Sequence, residues 1–396
     1  VKILVANFGS TSFKYKLFEA DAGAETLLAK GAFDRVEDFG PPVEQALREL
    51  QEGGHLAGLE DLDAVGFKTV LGKDLSGCVE ADERVLAALD GLKAVAPAHN
   101  PAYAAGIRSF REKAPGARLV ALFETAFYQW VPEAARHYAI PKGWREAGIR
   151  RYGFHGASHK FIAERSAELL GREDVARRVR GLYANGPGPE PEMPLRVVSC
   201  HLGGSSSVTG INSGLAVGCS LGFSPQSGLP HNNRVGDLDS MAIPFAMNEM
   251  GLSLAECERQ LTQESGLYGL SGVGNDLRDV EAAARKGNAE AQLAIDVLIH
   301  SIRQWVGVFL VQMGGLDGIA FTGGIGEHNP WLRKAVCEGL EELGVQLDKQ
   351  ENASREEGLL GTDDADCQVM VIPANEELVI AREVRRFVES KAAVKS

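Results

Sequence analysis

The sequence predicts a two-lobed α/β fold in which one half repeats the plan of the other. Three observations carry that prediction. Short apolar runs recur at residues 1–6, 119–123, 197–200, 319–321 and 369–372, with helical patterns between them, the alternation of mixed sheets covered by helices. Two of these runs lead into glycine- and serine-rich turns, Asn7-Phe8-Gly9-Ser10-Thr11-Ser12 and His201-Leu202-Gly203-Gly204-Ser205-Ser206-Ser207, and another apolar stretch follows each turn. Finally, 396 residues are more than one hydrophobic core usually takes and suit two domains.

Along the chain, the first turn reads as the tip of a β-hairpin. Glycine lets its backbone turn tightly and approach a ligand, while serine hydroxyls and N–H groups offer donors to phosphate oxygens. Next, Phe154-His155-Gly156-Ala157-Ser158-His159 places two histidines on one helix face, as metal ligands are placed. No third ligand lies near in sequence, so one histidine is read as a donor to a charged oxygen and the other as structural. Residues 185–194, rich in Pro, Gly and Glu, form an exposed loop. The second hairpin turn follows, matching the first, and the pair suggests a polyphosphate gripped between two lobes. Arg234 then lies in a polar turn, where a guanidinium can hold carboxylate or phosphate with two parallel hydrogen bonds, unless Asp237 or Asp239 neutralises it. Ala291, Ile295, Leu298, Ile302, Trp305 and Phe309 fall at helical spacing and form one apolar stripe, facing a core or a partner subunit. Phe321-Thr322-Gly323-Gly324-Ile325-Gly326-Glu327 follows a strand, and its glycines permit close approach of a nucleoside. Asn375-Glu376-Glu377 follows the last strand, where a carboxylate is well placed for Mg²⁺ unless these are solvated surface glutamates.

Bulk properties exclude several classes. The net charge of −13 argues against nucleic acid or an anionic membrane as partner, and an anionic nucleotide would need local cations and Mg²⁺. Six scattered cysteines without a CxxC pair fit a reducing cytoplasm. The N-terminus opens into a strand without a leader pattern, and the most apolar run, residues 305–311, is far shorter than the roughly 20 residues that span a bilayer. A soluble, cytoplasmic protein is expected. Neither a GxxxxGK[ST] P-loop nor the protein-kinase signature set is present.

In order and together, these motifs resemble the acetate kinase family of the acetate-and-sugar-kinase, Hsp70 and actin superfold. The resemblance is carried by residues 7–14, Ala96-Pro97-Ala98-His99-Asn100-Pro101, Arg151-Tyr152-Gly153 with the histidine motif, residues 200–207, Gly222-Phe223-Ser224-Pro225, Arg234-Val235-Gly236-Asp237, residues 321–327 and Pro373-Ala374-Asn375-Glu376-Glu377. It implies duplicated actin-like (ribonuclease H-like) domains with a central cleft, residues 1–128 plus 378–396 forming one and 129–377 the other. It also implies closure around Mg-ATP, a homodimer formed through the second domain, and in-line transfer of the γ-phosphoryl group to a small carboxylate, giving an acyl phosphate and ADP. By the same resemblance Asn7 and Glu376 organise Mg²⁺, while Ser10, Ser12 and Lys14 face the phosphates, as do His201, Leu202, Gly203, Gly204 and Ser205. His155 donates to the phosphoryl group in flight and Arg234 holds the carboxylate. His99 supports the acyl side, and Asp276, Leu277, Arg278, Gly324, Ile325 and Gly326 border the nucleoside.

The departures gather at the acyl site. Where the family has His-Arg-Val-Val-His-Gly-Gly, this chain has Phe67-Lys68-Thr69-Val70-Leu71-Gly72-Lys73, so Lys68 replaces an arginine and loses its two-pronged grip. Glu124 stands for the family's aspartate in Phe123-Glu124-Thr125-Ala126-Phe127, one methylene longer; with Lys68 it forms a candidate compensated pair. Gly203-Gly204-Ser205 replaces Gly-Asn-Gly, and Gln226-Ser227 replaces Leu-Glu. The small acyl pocket maps to Val70, Ala98, Phe154 and Pro225, with Ala98 in place of leucine, which favours an acid larger than acetate. An alcohol kinase with Glu124 as base, or a nucleotide sensor without turnover, are the alternatives.

Overall fold

A computed structural model describes residues 1–21, 24–72, 75–93, 100–353 and 356–393. Its frame is a pair of six-stranded sheets. The first contains β1 (Lys2–Gly9), β2 (Ser12–Asp21), β3 (Ala24–Asp34), β4 (Ala64–Thr69), β5 (Cys78–Glu80) and β6 (Arg118–Phe123), in the order β3-β2-β1-β4-β6-β5. The second contains β7 (Arg196–His201), β8 (Ser207–Asn212), β9 (Leu215–Cys219), β10 (Gly318–Thr322), β11 (Gly358–Leu359) and β12 (Gln368–Val371), in the order β9-β8-β7-β10-β12-β11. Position for position the orders are the same. An antiparallel meander opens each sheet, three parallel strands follow (β1, β4, β6 and β7, β10, β12), and a short antiparallel strand closes the far edge. The duplication expected from the two turns is present in full.

Both turns are hairpins. Gly9 pairs with Ser12, leaving Ser10 and Thr11 as a two-residue tip, whereas His201 pairs with Ser207 around a longer loop. Apart from β4, the parallel strands read as unbroken apolar runs because helices cover both faces. Ile3, Leu4, Val5 and Ala6 are all fully buried, as are Ile319, Ala320 and Phe321.

The predicted apolar stripe lies on the helix Ala289–Met313. The Asn288 side chain caps its start by accepting from the Glu290 and Ala291 N–H groups, and Gly314, at φ +68°, ends it. Ala291, Ile295, Leu298, Ile302 and Phe309 are buried in the second core, while Trp305 packs beside it half-buried. At 25 residues this helix is long and apolar enough to cross a membrane by length and composition alone, so residues 305–311 understate it. Its buried face makes it a core helix here. The six cysteines are free and buried. Residues 186–194 carry no regular structure, and Asn185 instead closes the helix Glu173–Asn185.

The last helix, Glu376–Ala393, returns to the first sheet, where Val379, Ile380 and Val384 pack with Ile3, Val5 and Ala64. Its first residue, Glu376, therefore stands at the boundary between the lobes.

Candidate active site

In open α/β sheets, ligands gather beyond the carboxyl ends of the parallel strands, where loops are free to carry polar groups. Both sheets turn those ends toward one cleft. Asn7 comes from the end of β1, Lys68 from the end of β4, and Glu124 directly follows β6. From the second sheet come His201 at the end of β7, Gly323 and Gly324 after β10, and Glu376 beyond β12. With His155, Arg234, Val70, Tyr103, Phe154 and Pro225 they line a cavity of about 430 Å³.

The acidic side of the cavity is organised by one ammonium group. Lys68 Nζ lies 2.6 Å from Glu376 Oε2 and 3.0 Å from Glu124 Oε1. Burial alone would lower the Lys68 pKa, but the two carboxylates outweigh it and hold the pKa well above the usual lysine value. Burial raises Glu124, against the pull of Lys68, while for Glu376 the opposition of burial is overcome by Lys68 and His201, leaving it lowered. Both Glu124 oxygens are buried and neither receives a well-directed hydrogen bond. Asn7 Oδ1 accepts from the Tyr103 hydroxyl at 2.9 Å.

Of the two Glu124 oxygens, Oε2 alone has neither a well-directed hydrogen bond nor an ion pair among the described residues, and with the amide oxygen of Asn7 and the Glu376 carboxylate in the same cavity the donor set fits a divalent cation. Among the described residues no group of three His, Cys, Asp or Glu forms a closed metal cage.

His155 sits in the left-handed region at φ +59°, directly before the helix Gly156–Leu169. Such a conformation is uncommon for a residue with a side chain and must be held by its surroundings. Gly156 supplies the hold: its N–H donates to the Glu124 carbonyl at 2.9 Å, and a Cβ there would lie 2.2 Å from that oxygen. Only glycine fits, and the turn is thereby clamped to the end of β6. The His155 ring lies 4.4 Å from His201, centroid to centroid. Burial, followed by neighbouring His201 and His159, keeps the His155 pKa well below the usual histidine value, and burial lowers His201 to about 4. His231 is lowered to about 3 by burial and by Arg234, and its Nδ1 accepts from the Ser206 N–H at 2.9 Å, ordering the second turn.

Arg234 donates to the Pro225 carbonyl, and no carboxylate among the described residues lies within ion-pair distance. Asp237, which the sequence offered as its neutraliser, instead accepts from the Gly228 N–H at 2.8 Å. Arg234 thus keeps its charge for a ligand. Leu202 is fully buried, and its carbonyl accepts from the Ile325 and Gly326 N–H groups, so it shapes the Gly323-Gly324 turn through backbone alone. At Gly323, φ +76°, a Cβ would lie 2.5 Å from that same carbonyl.

Of the residues singled out from sequence, Asn7, Lys68, Val70, Glu124, Phe154, His155, His201, Gly203, Gly204, Ser205, Pro225, Arg234, Gly324 and Glu376 line the one cavity. Ser10, Ser12, Lys14, Leu202, Ile325 and Gly326 do not line it. Asp276 caps the helix Leu277–Arg285 and pairs with Arg278, also away from the lining. Ala98 and His99 lie outside the described residues. Sequence reasoning missed Tyr103, whose helix begins at the flagged Asn100-Pro101 pair, and Ser199, whose Oγ lies 2.8 Å from His159 Nδ1. A larger groove of about 910 Å³, beside Trp305 and Leu254, holds none of these clustered histidines and lysine.

Comparison with known proteins places this geometry. The model of the acetokinase family matches residues 2–382. The acetate kinase of Heliobacterium modesticaldum is 38% identical, over 98% of this chain and 99% of its own length. Among solved structures, Porphyromonas gingivalis acetate kinase superposes with a TM-score of 0.87 at 32% identity, covering 98% of this chain and 99% of that one. A propionate kinase from Francisella tularensis gives 0.83 at 31% identity, covering 96% and 98%.

Proposed function

The chain belongs to the acetokinase family, and from that premise we propose that its cleft transfers the γ-phosphoryl group of ATP to a short-chain carboxylate. The carboxylate oxygen attacks phosphorus in line, the bond to the β,γ-bridging oxygen breaks, and an acyl phosphate and ADP leave. An acceptor carboxylate is already ionised at neutral pH, so no proton needs removing. Positioning and charge neutralisation then carry most of the catalysis.

The observation that supports this most is the convergence of Lys68, Arg234 and His155 on a cavity whose other wall is carboxylate and glycine. The turn at Gly203-Gly204-Ser205 and the start of the helix Gly323–His328 offer backbone N–H groups to the phosphates. Arg234, free of any internal carboxylate, holds the acceptor acid against the apolar floor of Val70, Phe154 and Pro225. His155 donates to the transferring group. Asn7 and Glu376 would hold Mg²⁺, which would neutralise charge on the phosphates. By the family resemblance alone, Lys68 stands for an arginine and Ala98 for a leucine, and on that ground acids larger than acetate are expected as substrates. Glu124, bound to Lys68, is not poised as a base for an alcohol.

On this reading the lobes divide into residues 1–128 with 378–396 and residues 129–377. Six buried thiols suit a reducing cytoplasm. The second lobe pairs with a second copy of the chain through the exposed apolar side chains of Met241, Phe245, Met250 and Leu254. The test is ATP and Mg²⁺ with hydroxylamine, across acids from formate to branched and hydroxylated ones. Hydroxamate is expected, with the best acid larger than acetate. ATP binding without hydroxamate from any acid would overturn the proposal.

A further inference from the structure

A file of four side chains runs from the interior of the second lobe to the cleft, and the mechanism above uses only its last member. Ser199 Oγ on β7 lies 2.8 Å from His159 Nδ1. His159 Nε2 lies 2.8 Å from Ser207 Oγ, and Ser207 Oγ lies 2.8 Å from His155 Nδ1. Ser199, His159 and Ser207 are fully buried, whereas His155 lines the cavity.

His159 is neutral in this setting. Both its ring nitrogens face serine hydroxyls and burial holds its pKa well below the usual value. A neutral imidazole has one N–H and one lone pair, and a serine hydroxyl has one proton. The file therefore has two hydrogen arrangements, and it changes between them only as a unit. In one, the Ser199 hydroxyl donates to His159 Nδ1, the Nε2–H of His159 donates to Ser207, and the Ser207 hydroxyl donates to His155 Nδ1. The His155 proton is then on Nε2, which has no protein partner among the described residues and is left for the cavity. In the other, every bond reverses. His155 donates from Nδ1, and the Ser199 proton must find a second acceptor.

None exists among the described residues, where the Ser199 hydroxyl has no hydrogen-bond partner besides His159. An unmade hydrogen bond on a fully buried hydroxyl disfavours the reversed arrangement by about tenfold or more. We propose that Ser199, His159 and Ser207 form a directional relay that holds His155 as its Nε2–H tautomer, with the donor facing the transferring phosphoryl group. The three are positioning residues. Their role in catalysis rests on the phosphotransfer reading of the cleft, but the tautomer does not.

The tautomer is read directly by two-bond ¹⁵N–¹H correlation on ¹⁵N-histidine protein at neutral pH, with His155→Gln assigning the signal. The wild-type protein is expected to show the Nε2–H pattern. Ser207→Ala, a small deletion, should give mixed tautomers and a kcat reduced about two- to tenfold, in proportion to the competent fraction, with both KM values changed far less. His159→Gln keeps an N–H donor near Nε2 and should hold the pattern that His159→Leu loses. An Nδ1–H pattern in the wild-type protein, or an unchanged Nε2–H pattern in Ser207→Ala, would overturn the relay. A pure Nε2–H signal in a protein that phosphorylates no acid supports the relay while removing the phosphotransfer reading.

Discussion

Lys68 reaches two carboxylates that the chain brings together from opposite ends, since Glu124 follows β6 and Glu376 opens the last helix. A lysine is a point charge and needs no planar partner, so the longer glutamate at 124 can meet it without a fork geometry. Charges in one buried cluster couple, and the loss of one member changes what the other is worth. Lys68→Met and Glu124→Gln should each lower kcat/KM. The double variant should lose less than the sum by about 1–3 kcal/mol, read in the hydroxamate assay. Strict additivity would mean that the two replacements arose independently. Asn7, His155, Arg234 and Glu376 were legible in the sequence because each stands in a compact motif, Arg234 in a polar turn and the others at a strand or helix end. Tyr103 and Ser199 were not, and Ser207 was read only as part of the second turn, because their roles depend on distant pairings such as Tyr103 with Asn7, which no local pattern encodes.

At the scale of elements, the helix that begins after His155 and the helix that begins at Glu376 are fastened by buried charges. Lys160 Nζ lies 2.7 Å from Glu383 Oε1, with side chains 1% and 3% exposed. One helix turn further on, Glu164 accepts from Arg386 at 3.0 and 3.1 Å. Removing one partner of a buried pair strands the other charge, whereas removing both leaves a smaller deficit. Glu383 keeps a second partner in Arg386, so Lys160→Met should cost less in chemical unfolding than the roughly 3–5 kcal/mol of an isolated buried pair, and Lys160→Met with Glu383→Leu should recover part of it. The acid limb of stability follows from Glu164. Burial raises its pKa, but Arg386, Lys160 and Arg382 outweigh burial and leave it below the usual carboxylate value. A carboxylate with a depressed folded pKa stabilises above its unfolded pKa of about 4.3 and loses that contribution as pH falls through the folded value. The melting-temperature gap between wild type and Glu164→Gln should thus be full near neutrality and close below about pH 4. The parallel strands at residues 1–6, 119–123, 197–200, 319–321 and 369–372 were readable because burial on both faces demands an unbroken apolar run. Of the parallel strands, β4 escaped, since Gly66 and Lys68 interrupt its run, and β3 escaped as a half-exposed edge strand.

For the whole molecule, the surface that asks for a partner is the one beside the Arg234 turn. Met241, Phe245, Met250 and Leu254 are 68%, 63%, 63% and 62% exposed. They lie on or between the helices Ala242–Glu249 and Leu254–Gln263, or immediately beside them. Monomers rarely leave so many large apolar side chains together in water, and a net charge of −13 would keep copies apart unless apolar burial exceeded the repulsion. The neighbouring groove is lined by Val235, Gly236 and Asp237, which follow Arg234 directly. A second copy seated there would steady the turn that presents the guanidinium, while each nucleotide wall would still come from one chain. Sedimentation should therefore give twice the 42.4 kDa chain mass, and Met241→Glu with Phe245→Glu should give the single chain. The monomer should bind ATP nearly as before but show a raised KM for the carboxylate, because the Arg234 turn has lost its outer support. A monomeric variant with both KM values unchanged would show that the seam and the site are independent. Wild-type protein that sediments as a single chain would leave the exposed patch without the partner argued for it.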